Sequence, residues 1–537
     1  MVVKPFTREE VAQHATAGDL LIIIDSKVYD LSKFSSLHPG GLSVLLDSEI
    51  AGQDATERFY ELHRAEVLEK YARLQVGVIQ GEPEIANRVP GALSQVPYAE
   101  PTWLASGYHT PYYKEHHRRF QKVYRKFVEE VVLPDAQARE TDGQPPSQHI
   151  VDEMCRLNIL AMQIGPGKHM KGRVLMDGVI SLEEFDPFIE LIITQDAARL
   201  HARGYNDGLG GGTIIGLPPV INFAQPALRD RVVEDALSGK RPICLAVTEA
   251  FAGSDVSGIR TRARKTEDGF WIVSGTAPIS RAIKANRSRF QELRNGSRQV
   301  TGTRAHWFTT ACKTDDGEII VLLIERGEGV ETKPIKTFYS ATAGTAFVTF
   351  DNVKVPDANR LGPGVPGLLI ILANFNHERW VLVAHNIARQ RVIFEECLKW
   401  ATQRKVFGKP LSSQAIVRQK LAAMISRFES CQAWIESITY QMCHMSPMEQ
   451  AQQLAGQIAF LKMYATRESQ KTAADAVQIF GGRGITKTGM FFEWGASLNM
   501  CFHHSLLIDA VGGGAEDVLG DLGVRQALRN LPRNARL

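Results

Sequence analysis

The hydrophobic pattern of this chain changes twice after residue 108, and this change limits the fold more than any other feature. Residues 108–238 carry stretches with the spacing of amphipathic helices, such as YYKEHHRRFQKVYRKFVEEVV. Residues 243–355 change to short apolar runs separated by turn residues, which is typical of strands. From residue 366 the helical spacing returns. The pattern therefore predicts three successive domains: a helical domain (108–240), a β domain (241–360) and a helical bundle with a C-terminal tail (361–537).

A separate small domain precedes these three. Residues 81–107 are rich in proline and have little periodicity, which is typical of a linker, so residues 1–80 form a unit of their own. A domain of this size without a disulfide needs another source of stability, such as a bound cofactor. His38 and His63 lie 25 residues apart, which suits two helix ends that face each other across a flat ligand. For either histidine alone, a place in an ordinary turn is the more common role.

Composition excludes several classes of protein. The formal charge is +3, so we expect neither nucleic acid nor an anionic membrane as the default partner. The longest apolar runs are far too short to span a bilayer, and charged residues interrupt any apolar start, so we expect no membrane span and no signal peptide. The seven cysteines are scattered without metal-site spacing, which favours reduced thiols inside a cell.

The chain ends in Ala535-Arg536-Leu537, a small-basic-leucine tripeptide. It is similar to the Ser-Lys-Leu address that a receptor reads at a free C-terminus. The sequence therefore predicts import into peroxisomes, and the cytoplasm or the mitochondrion is the alternative.

Five ordered segments in the first eighty residues resemble the cytochrome b5 haem-binding domain: FTREEVAQH, KVYDLSKF, HPGG, AGQDATERFYELH and YARLQVG. The resemblance implies a small α+β domain that binds haem b and carries single electrons. It also implies that His38 and His63 are the two axial ligands of the haem iron.

Three further motifs, LAVTEAFAGSDVSGIRT, RKVFGKPL and QIFGGRGIT, resemble the acyl-CoA dehydrogenase family over residues 108–530. The family fold consists of an α-helical domain, a central β-barrel and a C-terminal four-helix bundle. The resemblance implies FAD as cofactor, an acyl-CoA substrate and a homodimer or homotetramer. The residues it implies for FAD are Thr248, Gly253, Ser254 and Thr301, and for the FAD of a neighbouring subunit Arg404, Phe407, Gln478, Gly481 and Gly482. Ser254 and Gly513 are the implied substrate contacts.

The catalytic base needs a carboxylate, because the reaction removes a proton alpha to a thioester. Much of the family carries this glutamate in a loop near the C-terminus, where this chain has Gly513. A second branch carries it on a bundle helix, and FNHERWVLVA places Glu378 at that position. Glu516 and Asp517 are competing carboxylates, although a role at a helix N-terminus also explains them. His377 is expected to be a neighbour that tunes the site.

These features predict FAD-dependent α,β-dehydrogenation of an acyl-CoA by a chain with a fused haem domain, like those of fungal members of the family. The electron acceptor is expected to be a flavoprotein, a haem protein or oxygen. The first alternative is an acyl-CoA oxidase. A non-catalytic or nucleic-acid-binding relative is a less favoured alternative.

Two segments depart from the family pattern. Residues 277–299 form a basic insertion without a core pattern, and Thr301 after it is the better match for the flavin-contacting threonine. Residues 494–509 lack the arginine expected before the base loop.

Overall fold

The computed structural model describes residues 4–63, 65–82, 89–249, 252–275, 297–299, 301–337, 340–485, 498–532 and 534–535. Arg536, Leu537, most of the 277–299 insertion and the start of segment 494–509 lie outside the described residues. The chain divides into two compact units. The first unit comprises residues 1–97, 393–423 and 474–500, and the second comprises residues 98–392, 424–473 and 501–537.

The N-terminal part of the first unit is built around a five-stranded sheet of order β1-β5-β4-β3-β2. Its strands are β1 (Lys4–Phe6), β2 (Ala15–Thr16), β3 (Asp19–Ile24), β4 (Lys27–Asp30) and β5 (Gln75–Ile79), and its helices are α1 (Arg8–Ala12), α2 (Leu42–Leu45), α3 (Thr56–Tyr60) and α4 (Ala65–Lys70). Alternate residues of a strand point to opposite faces. Leu20, Ile22 and Ile24 therefore enter one apolar cluster, and Leu21 and Ile23 enter a second cluster on the other face.

The second unit begins with a group of helices that surround one buried helix. They are α5 (Glu115–Phe127), α6 (Leu133–Asp142), α7 (Gln148–Arg156), α8 (Ile159–Met162), α9 (Pro187–Ala198), α10 (Arg203–Asn206), α11 (Gly212–Gly216), α12 (Pro218–Phe223) and α13 (Pro226–Leu237). Every residue of α9 is buried. The carboxylate of Asp186 caps α9 by accepting hydrogen bonds from the N–H groups of Phe188 and Ile189.

Two sheets make up the β domain. Their strands are β6 (Ile243–Ala246), β7 (Arg262–Lys265), β8 (Phe270–Ser274), β9 (Ser297–Gln299), β10 (Trp307–Lys313), β11 (Ile319–Glu325), β12 (Val330–Pro334), β13 (Ala346–Phe350), β14 (Val353–Pro356) and β15 (Arg360–Leu361). Seven strands pair in the order β14-β8-β7-β10-β11-β15 with β6 on β10, and three pair as β12-β13-β9. Where the expected fold has a closed barrel, the described strands form two open sheets, because no ladder joins the edge strands β14 and β15.

The C-terminal part is dominated by three long helices. Its elements are α14 (Gly367–Leu372), α15 (Phe375–Gln403), β16 (Lys405–Val406), β17 (Lys409–Pro410), α16 (Ala415–His444), α17 (Pro447–Gln453), α18 (Ala455–Phe480), α19 (Leu498–Val511) and α20 (Glu516–Arg529). Buried polar contacts join the helices of the second unit. The indole N–H of Trp380 donates to the Thr439 hydroxyl at 2.9 Å. The Thr472 hydroxyl donates to Gln390 Oε1 at 2.9 Å.

Among the described helices, none combines the length and the apolar character that a bilayer crossing requires.

Candidate active site

A cavity of about 990 Å³ lies within the second unit. The loop after β6, the first turns of α15 and the glycine-rich loop between α19 and α20 contribute to its wall. It brings together five residues that the motifs predict: Thr248, Gly253, Ser254, Glu378 and Gly513. A volume of this size is at the upper end for sites that hold a cofactor or a small substrate.

The loop that follows β6 is closed at its base by a buried carboxylate. Glu249 accepts hydrogen bonds from the backbone N–H and the hydroxyl of Thr261, at 2.8 and 2.6 Å. Thr248 and Ser254 are exposed on the cavity side, and their hydroxyls bond to none of the described groups. A Cβ added to Gly253 would meet no atom within 4 Å. This loop therefore offers free hydroxyls and accessible backbone, which fit the polar edge of a flavin ring.

Glu378 lies in the first turn of α15, on the cavity wall. Its carboxylate makes no hydrogen bond and no ion pair with the described residues. Burial raises the pKa of Glu378, although the charges of Arg379, Lys462 and Arg203 act in the opposite direction. A raised pKa makes this carboxylate a stronger base than an exposed glutamate, and the lack of partners leaves both oxygens available to a ligand.

Two buried cations hold the glycine-rich loop that faces Glu378. Arg379 Nε donates to the carbonyl of Gly513 at 2.7 Å. Lys462 Nζ donates to the carbonyls of Ala510 and Gly514, at 3.0 and 2.8 Å. Burial lowers the pKa of Lys462 to about 8. Sequence reasoning missed Lys462, although a lysine inside the apolar run IAFLKMYA signals a buried cation.

Position 513 requires glycine for two reasons. Its φ is +64°, a backbone conformation that side chains disfavour, and an added Cβ would lie 3.1 Å from Arg379 Cγ. The backbone N–H of Gly513 bonds to none of the described acceptors. It is therefore free to donate to a carbonyl oxygen in the cavity.

His377 is held by a buried carboxylate. Its Nε2 lies 2.5 Å from Glu190 Oε1, and Glu190 is 1% exposed. Burial alone lowers the pKa of His377, but the Glu190 charge and hydrogen bond outweigh it, so the net pKa is raised. His377 is not part of the cavity wall. A histidine that Glu190 engages in this way influences the charge beside Glu378 and is not placed to act as the base.

The two competing carboxylates, Glu516 and Asp517, make their contacts outside the cavity. Glu516 and Asp517 lie in the first turn of α20. Gln470 Nε2 donates to Glu516 at 3.1 Å, and Arg467 Nη2 donates to Asp517 at 2.5 Å. Neither residue contributes to the cavity wall, so a role at the helix N-terminus accounts for both.

A buried ionic cluster adjoins the cavity and was not expected from the sequence. Arg203 Nη1 binds Asp207 at 2.8 Å, and Arg389 pairs with Asp509. Burial holds the pKa of the neighbouring His385 well below its usual range, and the charges of Arg203 and Arg389 act in the same direction. Arg203, Asp207 and His385 line the cavity, so this part of its wall combines paired charges with a neutral imidazole.

Thr301 does not reach the cavity wall in the described structure. It is buried with φ near +60°, and its N–H donates to the carbonyl of Ala343 at 2.8 Å. A Cβ on Gly212 would lie only 2.1 Å from Thr301 Oγ1, so the threonine packs against the backbone of α11.

The other five residues predicted for FAD lie in the first unit. Phe407 and Gly408 have φ values of 51° and 73° in the turn between β16 and β17, and Phe407 is 95% exposed. Gln478, Gly481 and Gly482 are also exposed, and Arg404 is half-buried. The exposed aromatic ring of Phe407 beside Gly408 offers a surface that suits a flat ligand.

The predicted haem ligands face each other in the first unit. The ring centroids of His38 and His63 are 5.9 Å apart, and His38 Nδ1 is buried without a partner among the described residues. Burial lowers the pKa of His63 to about 4, with smaller contributions from His38 and Arg483. A Cβ on Gly40 would lie 2.9 Å from His38 Cε1, so glycine is needed beside this ring.

The walls around these two histidines are aromatic and aliphatic. Phe59 lies 4.9 Å from the ring of His63, and Phe34 lies 6.0 Å from the ring of His38. Two opposed imidazoles, one with a buried nitrogen that has no partner among the described residues, and apolar walls fit a bis-histidine haem.

A second histidine cluster has a structural explanation. His116, His117 and Asp186 place ligand atoms within 4.8 Å of one another. However, His117 Nδ1 accepts the N–H of Lys114 at 2.8 Å, and its Nε2 lies 3.1 Å from Asp186. Both ring nitrogens of His117 are thus in use, and Asp186 already caps α9.

Comparison with known families gives three matches. A family profile described as cytochrome b5-like heme/steroid binding domain matches residues 7–80. Profiles described as the N-terminal and C-terminal domains of acyl-CoA dehydrogenase match residues 114–240 and 366–528.

Curated relatives and a solved structure agree with these matches. The acyl-CoA dehydrogenase apdG of Emericella nidulans is 33% identical over 81% of this chain and 96% of its own length. An acyl-CoA dehydrogenase of Alternaria alternata is 30% identical over 82% of this chain and 98% of its own length. A structure described as the FAD complex of PigA shares the fold with a TM-score of 0.63 at 20% identity, covering 79% of this chain and 100% of its own.

The family matches support FAD as the cofactor of the acyl-CoA dehydrogenase part and haem as the cofactor of the N-terminal domain, in agreement with the free hydroxyls of the cavity loop and the opposed imidazoles. They also confirm the predicted reaction class, an oxidoreductase that acts on acyl-CoA. The chain belongs to the acyl-CoA dehydrogenase family and carries a cytochrome b5-like domain at its N-terminal end.

Proposed function

We propose that this enzyme forms an α,β double bond in an acyl-CoA thioester with Glu378 as the catalytic base. The observation that carries the proposal is the Glu378 carboxylate itself: it lies on the cavity wall, has no partner among the described residues, and has a raised pKa. Glu378 takes the α proton, and the bound FAD supplies the acceptor for the β hydride.

The glycine-rich loop orients the thioester. The free N–H of Gly513 donates to the thioester oxygen, which makes the α proton more acidic as negative charge develops on that oxygen. Arg379 and Lys462 keep this loop in place through the carbonyls of Gly513 and Gly514. Ser254, on the other loop, is a further polar contact for the substrate.

The apolar part of the cavity wall receives the acyl chain. Leu372, Phe375, Leu382, Ile508 and Val511 line it. Apolar walls also exclude water, which keeps the Glu378 carboxylate poorly solvated and basic.

We further propose that the N-terminal domain binds haem through His38 and His63 and carries single electrons. The two imidazoles would hold the haem iron as its protein ligands, and the haem would supply single-electron transfer. We also propose that the domains of this chain end at residues 80, 107, 240 and 360. The enzyme is further proposed to assemble into a homodimer or homotetramer.

The C-terminal tripeptide supports a peroxisomal location. The electron acceptor is then a flavoprotein, a haem protein or oxygen. Reoxidation of the reduced enzyme in air separates oxygen from the two protein acceptors, because an oxidase is reoxidised within its turnover time and a dehydrogenase is not.

Anaerobic mixing with acyl-CoAs tests the proposed reaction. Purified full-length enzyme is mixed with short, branched and medium-chain acyl-CoAs, and the absorbance of oxidised flavin is followed. We expect at least one chain type to bleach the flavin and to yield the enoyl-CoA. If the enzyme carries its full complement of FAD and no acyl-CoA bleaches it, the proposal is wrong.

A further inference from the structure

A charged contact joins the cytochrome b5-like domain to the β16–β17 hairpin within the first unit. Lys405 Nζ, in β16, lies 2.9 Å from Glu61 Oε1 and 3.4 Å from Glu57 Oε2. Glu57 belongs to α3 and Glu61 is the residue that ends it. Glu61 is only 15% exposed, so the pair between Lys405 and Glu61 is better shielded from solvent than an ordinary surface pair.

A second contact reaches the residue before a predicted haem ligand. Arg483 Nη1 donates to the backbone carbonyl of Leu62 at 2.8 Å. The guanidinium of Arg483 also lies over the ring of Trp400, 5.3 Å from its centroid. Leu62 directly precedes His63 in the chain. Arg483 therefore holds the turn that carries His63 against the C-terminal end of α15.

The segment that carries Arg483 also carries two residues predicted for FAD. Arg483 follows Gly481 and Gly482 in the sequence GGRG, and Lys405 follows Arg404. Burial lowers the pKa of Arg483, and the neighbouring charge of Arg404 acts in the same direction, so cations are concentrated here. The basic residues Arg404, Lys405 and Arg483 thus form a patch that faces the acidic end of α3.

This charge has a consequence for a haem bound by His63. Reduction lowers the positive charge of the iron by one, so a nearby cation destabilises the oxidised form more than the reduced form. Charge and hydrogen bonding around a redox centre are the usual means by which a protein sets its potential.

We propose that Arg483 is a positioning residue for the haem: through the Leu62 carbonyl it fixes the turn of His63 on the basic patch, and its charge raises the reduction potential of the haem. The patch thereby connects the segment of the FAD motif to the turn that carries the haem ligand. This inference rests on the haem site proposed above.

The test is a redox titration of the haem in full-length holoenzyme, followed at the Soret band. Arg483→Gln is expected to shift the midpoint potential to lower values, and Arg483→Lys, which keeps the charge, is expected to retain most of the wild-type potential. Lys4→Gln removes an exposed cation from β1 of the same domain and serves as the matched control. An Arg483→Gln midpoint equal to that of Lys4→Gln would overturn the proposal.

A charge swap between Lys405 and Glu61 provides a second, independent test of the midpoint potential. Lys405→Glu places like charges beside Glu61, so the midpoint potential is expected to fall. Adding Glu61→Lys restores opposite charges, and the double variant is expected to return toward the wild-type value. If Lys405→Glu leaves the midpoint unchanged, the proposal is overturned, including in the case that Arg483→Gln fails to retain haem.

The haem spectrum separates this inference from the proposal on which it rests. Wild-type enzyme without a bis-histidine Soret spectrum would overturn the haem site and with it the inference. Haem with a normal spectrum and an unchanged potential in the variants would overturn only the role of Arg483.

Discussion

Replacing Lys462 by methionine tests how the glycine-rich loop is held. The substitution removes two hydrogen bonds from the ammonium group, to the carbonyls of Ala510 and Gly514. Bonds to a charged group contribute about 1.5–3 kcal/mol each. Methionine keeps the apolar stem and relieves the cost of burying the ammonium, so the net loss of unfolding free energy is about 2–4 kcal/mol. Denaturant unfolding followed by far-UV circular dichroism measures it.

The same substitution changes the pH dependence of flavin reduction. Glu378 must be ionised to accept a proton, so the rate falls about tenfold for each pH unit below its pKa. The Lys462 charge lowers the pKa of Glu378, and its removal raises that pKa further. The acid limb of the rate profile should therefore move to higher pH in Lys462→Met.

Lys471→Met is the matched control on α18, because Lys471 is 60% exposed and pairs with Glu468 on its own helix. It should change the unfolding free energy by no more than about 0.5 kcal/mol. Equal stability of the two variants would refute the structural part of this reasoning. An acid limb that does not move in Lys462→Met would refute the electrostatic part.

Three further predictions concern other parts of the molecule. His38→Ala or His63→Ala should each abolish the low-spin bis-histidine spectrum, and a Soret band retained by both would contradict the haem assignment. Asp509→Asn leaves the buried Arg389 without its anion and should cost about 3–5 kcal/mol in denaturant unfolding, and a loss below 1 kcal/mol would contradict the buried pair. Deleting Leu537 should disperse the peroxisomal signal of a fluorescent fusion, and unchanged localisation would remove that proposal.

The order of helices and strands follows from local hydrophobic spacing, which is why the sequence predicts it. The unbroken apolar run LLIII also indicates a strand buried on both faces. The pairing of strands is different, because it depends on contacts between residues far apart in the chain. The two open sheets, with β6 and β7 both parallel to β10, could not be derived from any local pattern.

The candidate site shows the same division. Motif resemblance leads to Thr248, Ser254 and Glu378, because each lies in a short segment with a recognisable pattern. The burial of Thr301 behind Gly212 depends on how α11 packs on the β domain, and no pattern near residue 301 indicates it. Lys462 is predictable in part. Its apolar neighbours in the sequence indicate burial, but its two carbonyl partners become evident only in the folded chain.

The contact of Arg483 with the haem domain could be predicted neither from local hydrophobic spacing nor from motif resemblance. Leu62 and Arg483 are 421 residues apart, and their hydrogen bond uses a backbone carbonyl that no side-chain pattern marks. The motif around Arg483 predicts a different role, the binding of FAD. A residue at a junction of two domains can therefore serve both, and only the tertiary structure indicates the second role.

Rapid anaerobic mixing of Glu378→Gln with an acyl-CoA that bleaches the wild-type flavin shows whether Glu378 is the catalytic base. Glutamine keeps the shape of the side chain but cannot accept the α proton, so FAD and acyl-CoA should still bind while flavin reduction slows by about a thousandfold or more. Glu516→Gln, at the start of α20, is the matched control and should reduce at close to the wild-type rate. A Glu378→Gln enzyme that retains FAD and reduces it at the wild-type rate would contradict the assignment of the base.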